Sequence, residues 1–172
     1  MTLIHCTRKL LKELDVPLVE PDKIPQPTEG LGNWYANLLR IDRRKCLLFT
    51  NEKTLYTFLI PKVLKANLKN IEEEFLINLS YNLQYEGFGL DVINRVMQEY
   101  QEIGFAKTMS KSVLGSMNNG LVRRYFPKGT DFSKIMDEQV AKVESIINNR
   151  PRKCLGYKTP LEVASAFVAL RP

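Results

Sequence analysis

The sequence predicts an α/β (α+β) protein: a small, mostly antiparallel sheet packed with helices, carrying a C-terminal helical tail. Three observations carry that prediction. Strand-like runs follow one another closely between residues 33 and 60. Apolar residues then recur at helical spacing from Leu68 to Tyr100. Beyond residue 119 the only periodic segments are helical, and turn residues separate them.

Taken in order, Leu3–Cys6 reads as a short first strand, and Thr7 as the N-cap of a helix over Arg8–Leu14 with Leu10, Leu11 and Leu14 on one face. Pro17, Pro21, Pro25 and Pro27, with Gly30 and Gly32, make the next stretch a loop. Asn33–Ile41 and Lys45–Thr50 read as strands joined through Asp42-Arg43-Arg44. Their apolar residues fall at odd and even positions alike, so at least one of them is expected to be covered on both faces. Thr54–Ile60 is a third strand that Pro61 should stop.

Leu68, Ile71, Phe75, Leu76, Leu79 and Leu83 predict one amphipathic helix from about Leu68 to Tyr85, ended by Gly87 and Gly89. Asp91 opens a second helix with a stripe of Ile93, Val96, Met97 and Tyr100. Ile103, Phe105 and Lys107 alternate as a short strand, and Ser110 can cap a further helix. Met136, Val140, Val143 and Ile147 then form one helical stripe, with Asp137 and Glu138 suiting its first turn. Thr159 and Pro160 supply the N-cap and first position of a last helix through Val163, Ala164, Phe167 and Val168.

The net charge of +6 is unevenly spread. Residues 119–172 carry 10 Lys+Arg against 5 Asp+Glu, whereas residues 1–118 carry 15 against 14. This contrast, with a change of wording around Gly115–Phe132, divides the chain into a near-neutral unit, 1–118, and a basic tail, 119–172. With 44% hydrophobic residues the chain is not disordered by composition. Cys6, Cys46 and Cys154 are far apart, no C-x-x-C occurs, and His5 is the only histidine, so no zinc site or other metal or cofactor is expected. Free thiols, no signal-peptide pattern and no apolar run of ~20 residues lead to the expectation of a cytoplasmic chain without a membrane partner.

Two resemblances bear on function. Asn119-Gly120-Leu121-Val122-Arg123-Arg124-Tyr125-Phe126-Pro127-Lys128-Gly129-Thr130-Asp131-Phe132-Ser133-Lys134, followed by Asn148-Asn149-Arg150-Pro151-Arg152-Lys153-Cys154-Leu155-Gly156-Tyr157-Lys158-Thr159-Pro160, closely resembles the C-terminal end of insertion sequence 30 family transposases. The resemblance implies that the tail derives from a ribonuclease-H-like integrase core. Such enzymes hold two divalent metals with two aspartates and a glutamate. The glutamate lies on a helix four residues before the glycine matched by Gly120, with a basic residue seven positions later on the same face. Here those slots hold Ser116 and Arg123. A serine cannot supply the anionic ligand that a hard cation needs, and the segments that would bear both aspartates are missing. Asp131 and Glu102 could replace them only by coincidence of folding. Leu3–Thr7, Trp34–Cys46 and Ser112–Asn118 resemble an uncharacterised bacterial family, the domain of unknown function numbered 6933, which implies no chemistry.

No catalytic set is therefore expected. Arg123, Arg124, Lys128, Arg150, Arg152, Lys153 and Lys158 form the candidate nucleic-acid-binding surface, lysine and arginine meeting phosphate and Tyr157 stacking on a base. The alternative is a solvated basic face inherited and unused. Arg40, Arg43, Arg44 and Lys45 make a second basic cluster, more simply a charged hairpin end. His5 and Cys6 are strand neighbours and should point to opposite faces. Asn33, Asn37 and Asp42 fit capping and turn duties as well as a pocket. The expected function is that of a non-catalytic, mobile-element-associated fusion protein binding DNA weakly and without sequence preference. The alternatives are a transposase fragment that needs a partner chain for its acidic ligands, and a chance fusion. The stripe on the tail needs a surface, either residues 1–118 or a second copy of the chain.

Overall fold

In a computed structural model, residues 1–20, 23, 30–41, 43–117, 119–127, 129–131 and 133–169 are described. Five strands form one sheet: β1 (Thr2–Cys6), β2 (Trp34–Ile41), β3 (Arg44–Asn51), β4 (Thr57–Val63) and β5 (Ile103–Lys107), in the order β4-β3-β2-β1-β5. The meander β2-β3-β4 is antiparallel, as its short connections require. β1 pairs parallel with both β2 and β5, so the sheet is mixed. Both parallel neighbours are reached by long crossovers, as parallel pairing demands. Gly104 allows β5 to lie close: a Cβ there would stand 2.8 Å from Leu3 Cδ2 and 2.9 Å from Val19 Cγ2.

Helices cover both faces. Trp34, Ala36, Leu38, Leu47, Phe49, Phe58 and Ile60 face one core. Over it lie α2 (Lys65–Lys69), α3 (Ile71–Tyr85), α4 (Leu90–Glu99) and α8 (Pro160–Ala169). Trp34, Phe49, Phe58, Phe75 and Tyr100 make a chain of ring contacts at its centre, and the Trp34 indole N–H donates to the Tyr100 hydroxyl at 2.8 Å. Tyr35, Leu39, Ile41, Cys46, Leu48 and Leu59 face the opposite core. That face is covered by α5 (Lys111–Ser116), α6 (Asn119–Tyr125) and α7 (Asp137–Asn148). Strict alternation within β2 and β3 thus serves two cores at once, as their two-sided apolar pattern predicts. Each core draws on residues from both sides of position 118.

Four elements differ from the sequence expectation. The first helix, α1, spans only Arg8–Leu11; the Thr7 hydroxyl donates to Asn37 Oδ1 at 2.8 Å instead of capping it. Asn70, at φ −112° and ψ 37°, divides the expected Leu68–Tyr85 helix into α2 and α3. The expected strand at 54–60 begins later and continues through Pro61 to Val63. There the register with β3 shifts between Lys45 and Leu47, and Lys62 adopts φ 56°. An edge strand with a bulge accommodates a residue that cannot donate. Met136 precedes α7 and is largely exposed, so the buried stripe is Val140, Val143 and Ile147.

The other two expected caps, Ser110 and Thr159, are present. Ser110 Oγ accepts from the Val113 amide, and Thr159 and Glu162 form a reciprocal capping box on α8. Among the described residues no helix is long and apolar enough to cross a membrane.

Candidate functional site

The α7–α8 connection gathers four of the seven predicted cations. A short 3₁₀ turn at Lys153–Leu155 is followed by Gly156 and Tyr157, both left-handed at φ 63° and 66°. The double left-handed step folds the chain back on itself. The Arg152 amide donates to Lys158 O at 3.0 Å, and the Tyr157 amide to Arg152 O at 2.9 Å. Tyr157 adopts a conformation unusual for a non-glycine residue, at a cost of about 1 kcal/mol. Its ring is 70% exposed, with Arg150, Lys153 and Lys158 exposed around the same loop. Arg152 is only partly exposed, and burial followed by the neighbouring Arg150 charge lowers its pKa. A closed loop of clustered cations beside an exposed aromatic ring can meet a phosphate and stack on a base.

The other predicted cations lie elsewhere. Arg123 and Arg124 are exposed in the last turn of α6, and Lys128 lies outside the described residues. The resemblance places Ser116 and Arg123 on one helix, but in this chain they belong to α5 and α6. Met117, at φ −58° and ψ 126°, separates the two helices as it packs into the second core. Glu102 lies 3.6 Å from the N-terminal ammonium, and Asp131 accepts hydrogen bonds from Ser133. Among the described residues no three His, Cys, Asp or Glu side chains are grouped to hold a metal ion.

The remaining candidates have local roles. Glu13 pairs with Lys45 at 2.7 Å and Arg40 at 3.4 Å, and these contacts hold its carboxyl below the usual range. Arg43 is at the hairpin tip with φ 66°, while Asp42 lies outside the described residues. His5 stacks on Tyr35 with ring centroids 4.9 Å apart, and its Nδ1 lies 3.1 Å from Lys107 O. Cys6 faces the other core, where burial pushes its thiol up to about 12. Histidine and thiol therefore do not form a nucleophile and base. Asn33 and Asn37 accept from Leu3 N and the Thr7 hydroxyl, both joining β1 to β2.

Sequence reasoning missed two buried long-range polar contacts that α7 makes with β4. Asn148 is wholly buried; its Oδ1 accepts from Thr57 N and its Nδ2 donates to Thr57 O, each at 2.8 Å. One turn earlier, Glu144 Oε1 accepts from Leu59 N at 2.6 Å. Four helical residues rise about 6 Å and two strand residues advance about 6.7 Å, so the pairs come into step. The edge of β4 is thereby closed by side chains, and Pro61, next in the alternation, has no N–H to satisfy. Burial raises the Glu144 pKa to about 8, against the lowering effect of the Leu59 amide, with Glu86 adding a smaller upward push. The readable signal was position: residues 140, 144, 147 and 148 share one helix face, and two of them are polar.

Fold and surface together define a three-layer mixed α/β domain whose clustered exposed cations lie on a loop of its C-terminal segment. Residues 3–163 match the family model described as a domain of unknown function (DUF6933), and the chain belongs to that family. The match crosses position 118 and takes in most of the tail. Part of the chain is also similar to transposases. It is 57% identical over 44 residues to the transposase for insertion sequence element IS4351 of Bacteroides fragilis, covering 26% of this chain and 14% of that protein. It is 46% identical over 52 residues to the transposase InsI for insertion sequence element IS30A of Escherichia coli K12, covering 30% and 14%. It is 43% identical over 51 residues to the transposase for insertion sequence element IS1086 of Cupriavidus metallidurans, covering 30% and 15%. The chain thus spans about one seventh of the length of these curated relatives.

Proposed function

We propose that this protein is a non-catalytic, mobile-element-associated member of its family that binds DNA phosphates weakly and without sequence preference. The observation that carries the reading is the closed Arg152–Lys158 loop, which carries exposed Lys153, Tyr157 and Lys158, with exposed Arg150 just before it. Partial similarity to transposases supports an origin beside a mobile element. Serine at position 116, in the slot of the metal-binding glutamate, supports a role without phosphodiester chemistry. Base reading is not part of the proposal, because phosphate contacts carry no sequence information.

The test is fluorescence anisotropy of the full chain against two labelled duplexes of unrelated sequence at ~50 mM salt. The variant Arg150→Ala/Lys153→Ala/Lys158→Ala removes three exposed cations and leaves half-buried Arg152 in place. Equal binding to both duplexes, lost in the triple variant, supports the proposal. No binding by the parent chain, or equal binding by parent and variant, overturns it.

A further inference from the structure

Outside the basic loop, a concavity runs along the sheet edge between α3 and α7. It encloses about 510 Å³, within the range of small-molecule sites. Its floor is the β4 edge at Leu59 and Pro61, closed from below by Glu144. One wall is a stripe on α3, Ile77, Tyr81 and Tyr85, at i, i+4 and i+8. These side chains are 55%, 72% and 61% exposed, although Phe75, Leu79 and Leu83 on the same helix are buried. The opposite wall is the first turns of α7, where Asp137 and Glu138 stand.

The electrostatics of this cleft oppose those of the whole molecule. In a protein of net charge +6, the acidic side chains lining it are Asp137, Glu138 and the buried Glu144, whose pKa of about 8 leaves it mostly protonated at neutral pH, and among the described residues the lining includes no lysine or arginine. Two tyrosine rings one helical turn apart add the negative faces of their π-systems. Asn78 and Asn82 are not free to reorient, since each donates its amide to the α3 carbonyl four residues earlier. Tyr56 is buried, and burial followed by the charges of Glu86 and Glu144 holds its pKa well above the usual value. Anions are repelled by such a lining. A purely apolar molecule would leave the carboxylates of the α7 wall without a counterpart.

We propose that the cleft between α3 and α7 is a binding site for a small organic cation, an ammonium group carried on an apolar body. The ammonium lies over the rings of Tyr81 and Tyr85 and faces Asp137 and Glu138, while the apolar part rests on Ile77 and Leu59. This site is separate from the basic loop and stands or falls independently of DNA binding.

The probe is benzyltrimethylammonium, titrated into the full chain with the tyrosine-ring NMR signals as readout. Phenylacetate and benzyl alcohol, similar in size but anionic and neutral, are the controls. Binding of the cation with a Kd near or below about 1 mM is expected. Tyr81→Ala and Tyr85→Ala, both at exposed positions, should each weaken it about five-fold, the factor for a cation–π contact of about 1 kcal/mol. Asp137→Asn/Glu138→Gln should weaken it comparably. Unchanged circular dichroism in each variant separates a lost contact from a lost fold. Equal binding of phenylacetate or benzyl alcohol, indifference to all three variants, or no shift at about 10 mM cation would overturn the proposal. So would tyrosine signals that move with protein concentration alone, which would show a second copy covering this wall.

Discussion

Asn148 meets Thr57 as a neighbouring strand would, donating to its carbonyl and accepting from its amide at 2.8 Å each, across 91 residues of sequence. Both residues are buried, so neither half of the pair has water as a substitute. Asn148→Ala should destabilise the fold by about 2–4 kcal/mol, because two buried backbone groups lose their partners together. Asn148→Asp should cost at least as much, since it removes the donor and adds a buried charge. Urea denaturation measures both. A loss under about 0.5 kcal/mol in either variant would show that the β4 edge does not depend on this side chain.

Glu144 gives the fold a pH dependence of definite sign. Its pKa rises from the ordinary 4.5 to about 8, so between these values the folded state binds the extra proton. Stability is full below the unfolded value and falls as pH rises toward the folded one, by at most about 1.4 kcal/mol per pH unit. Glu144→Gln keeps an oxygen for Leu59 N and cannot ionise. The variant should flatten the decline and be more stable than the parent at the alkaline end. Parallel pH profiles for the two proteins would exclude Glu144 as the source.

Truncation after residue 118 removes α6, α7 and α8, and with them most of the cover over Tyr35, Leu39, Ile41, Cys46, Leu48 and Leu59. Although residues 1–118 contain all five strands, the fragment should expose this sheet face and the edge of β4. It should bind a hydrophobic dye and associate with itself, and adding a 119–172 peptide should reverse both effects. A monomeric fragment that unfolds in one transition and ignores the dye would show instead that the near-neutral unit is self-sufficient.

Purified protein with Mg²⁺ or Mn²⁺ should leave labelled duplex and nicked DNA intact, because Ser116 offers no anionic metal ligand. Cleavage abolished by changing a single acidic residue would refute this.

For DNA binding, log K should fall by about 0.9 per neutralised phosphate as log salt rises. With about four cations engaged, affinity should drop roughly two orders of magnitude between 50 and 200 mM salt. Arg150→Ala/Arg152→Ala/Lys153→Ala should flatten the slope more than Arg43→Ala/Arg44→Ala/Lys45→Ala. A flat salt response, or the reverse order of the two variants, would place the binding elsewhere.

The sequence by itself determined the features set by near neighbours. Alternation along residues 34–39 and 46–49 announced a two-faced sheet, and Ser110, Thr159 and Pro160 announced helix starts, because pleat, helical turn and cap are short-range geometries. The loop carrying Arg150, Arg152, Lys153 and Lys158 was legible for the same reason: these cations are close in the chain. Only the tertiary structure decided that β5 joins β1 in parallel, that Pro61 lies within an edge strand, and that Ser116 and Arg123 occupy different helices. It alone brought Glu144 to Leu59, Asn148 to Thr57, and the α3 tyrosines opposite the carboxylates of α7. An edge strand leaves its outward amides and carbonyls open to any element laid beside it. Which helix satisfies them depends on how both cores pack, a condition spread over the whole chain.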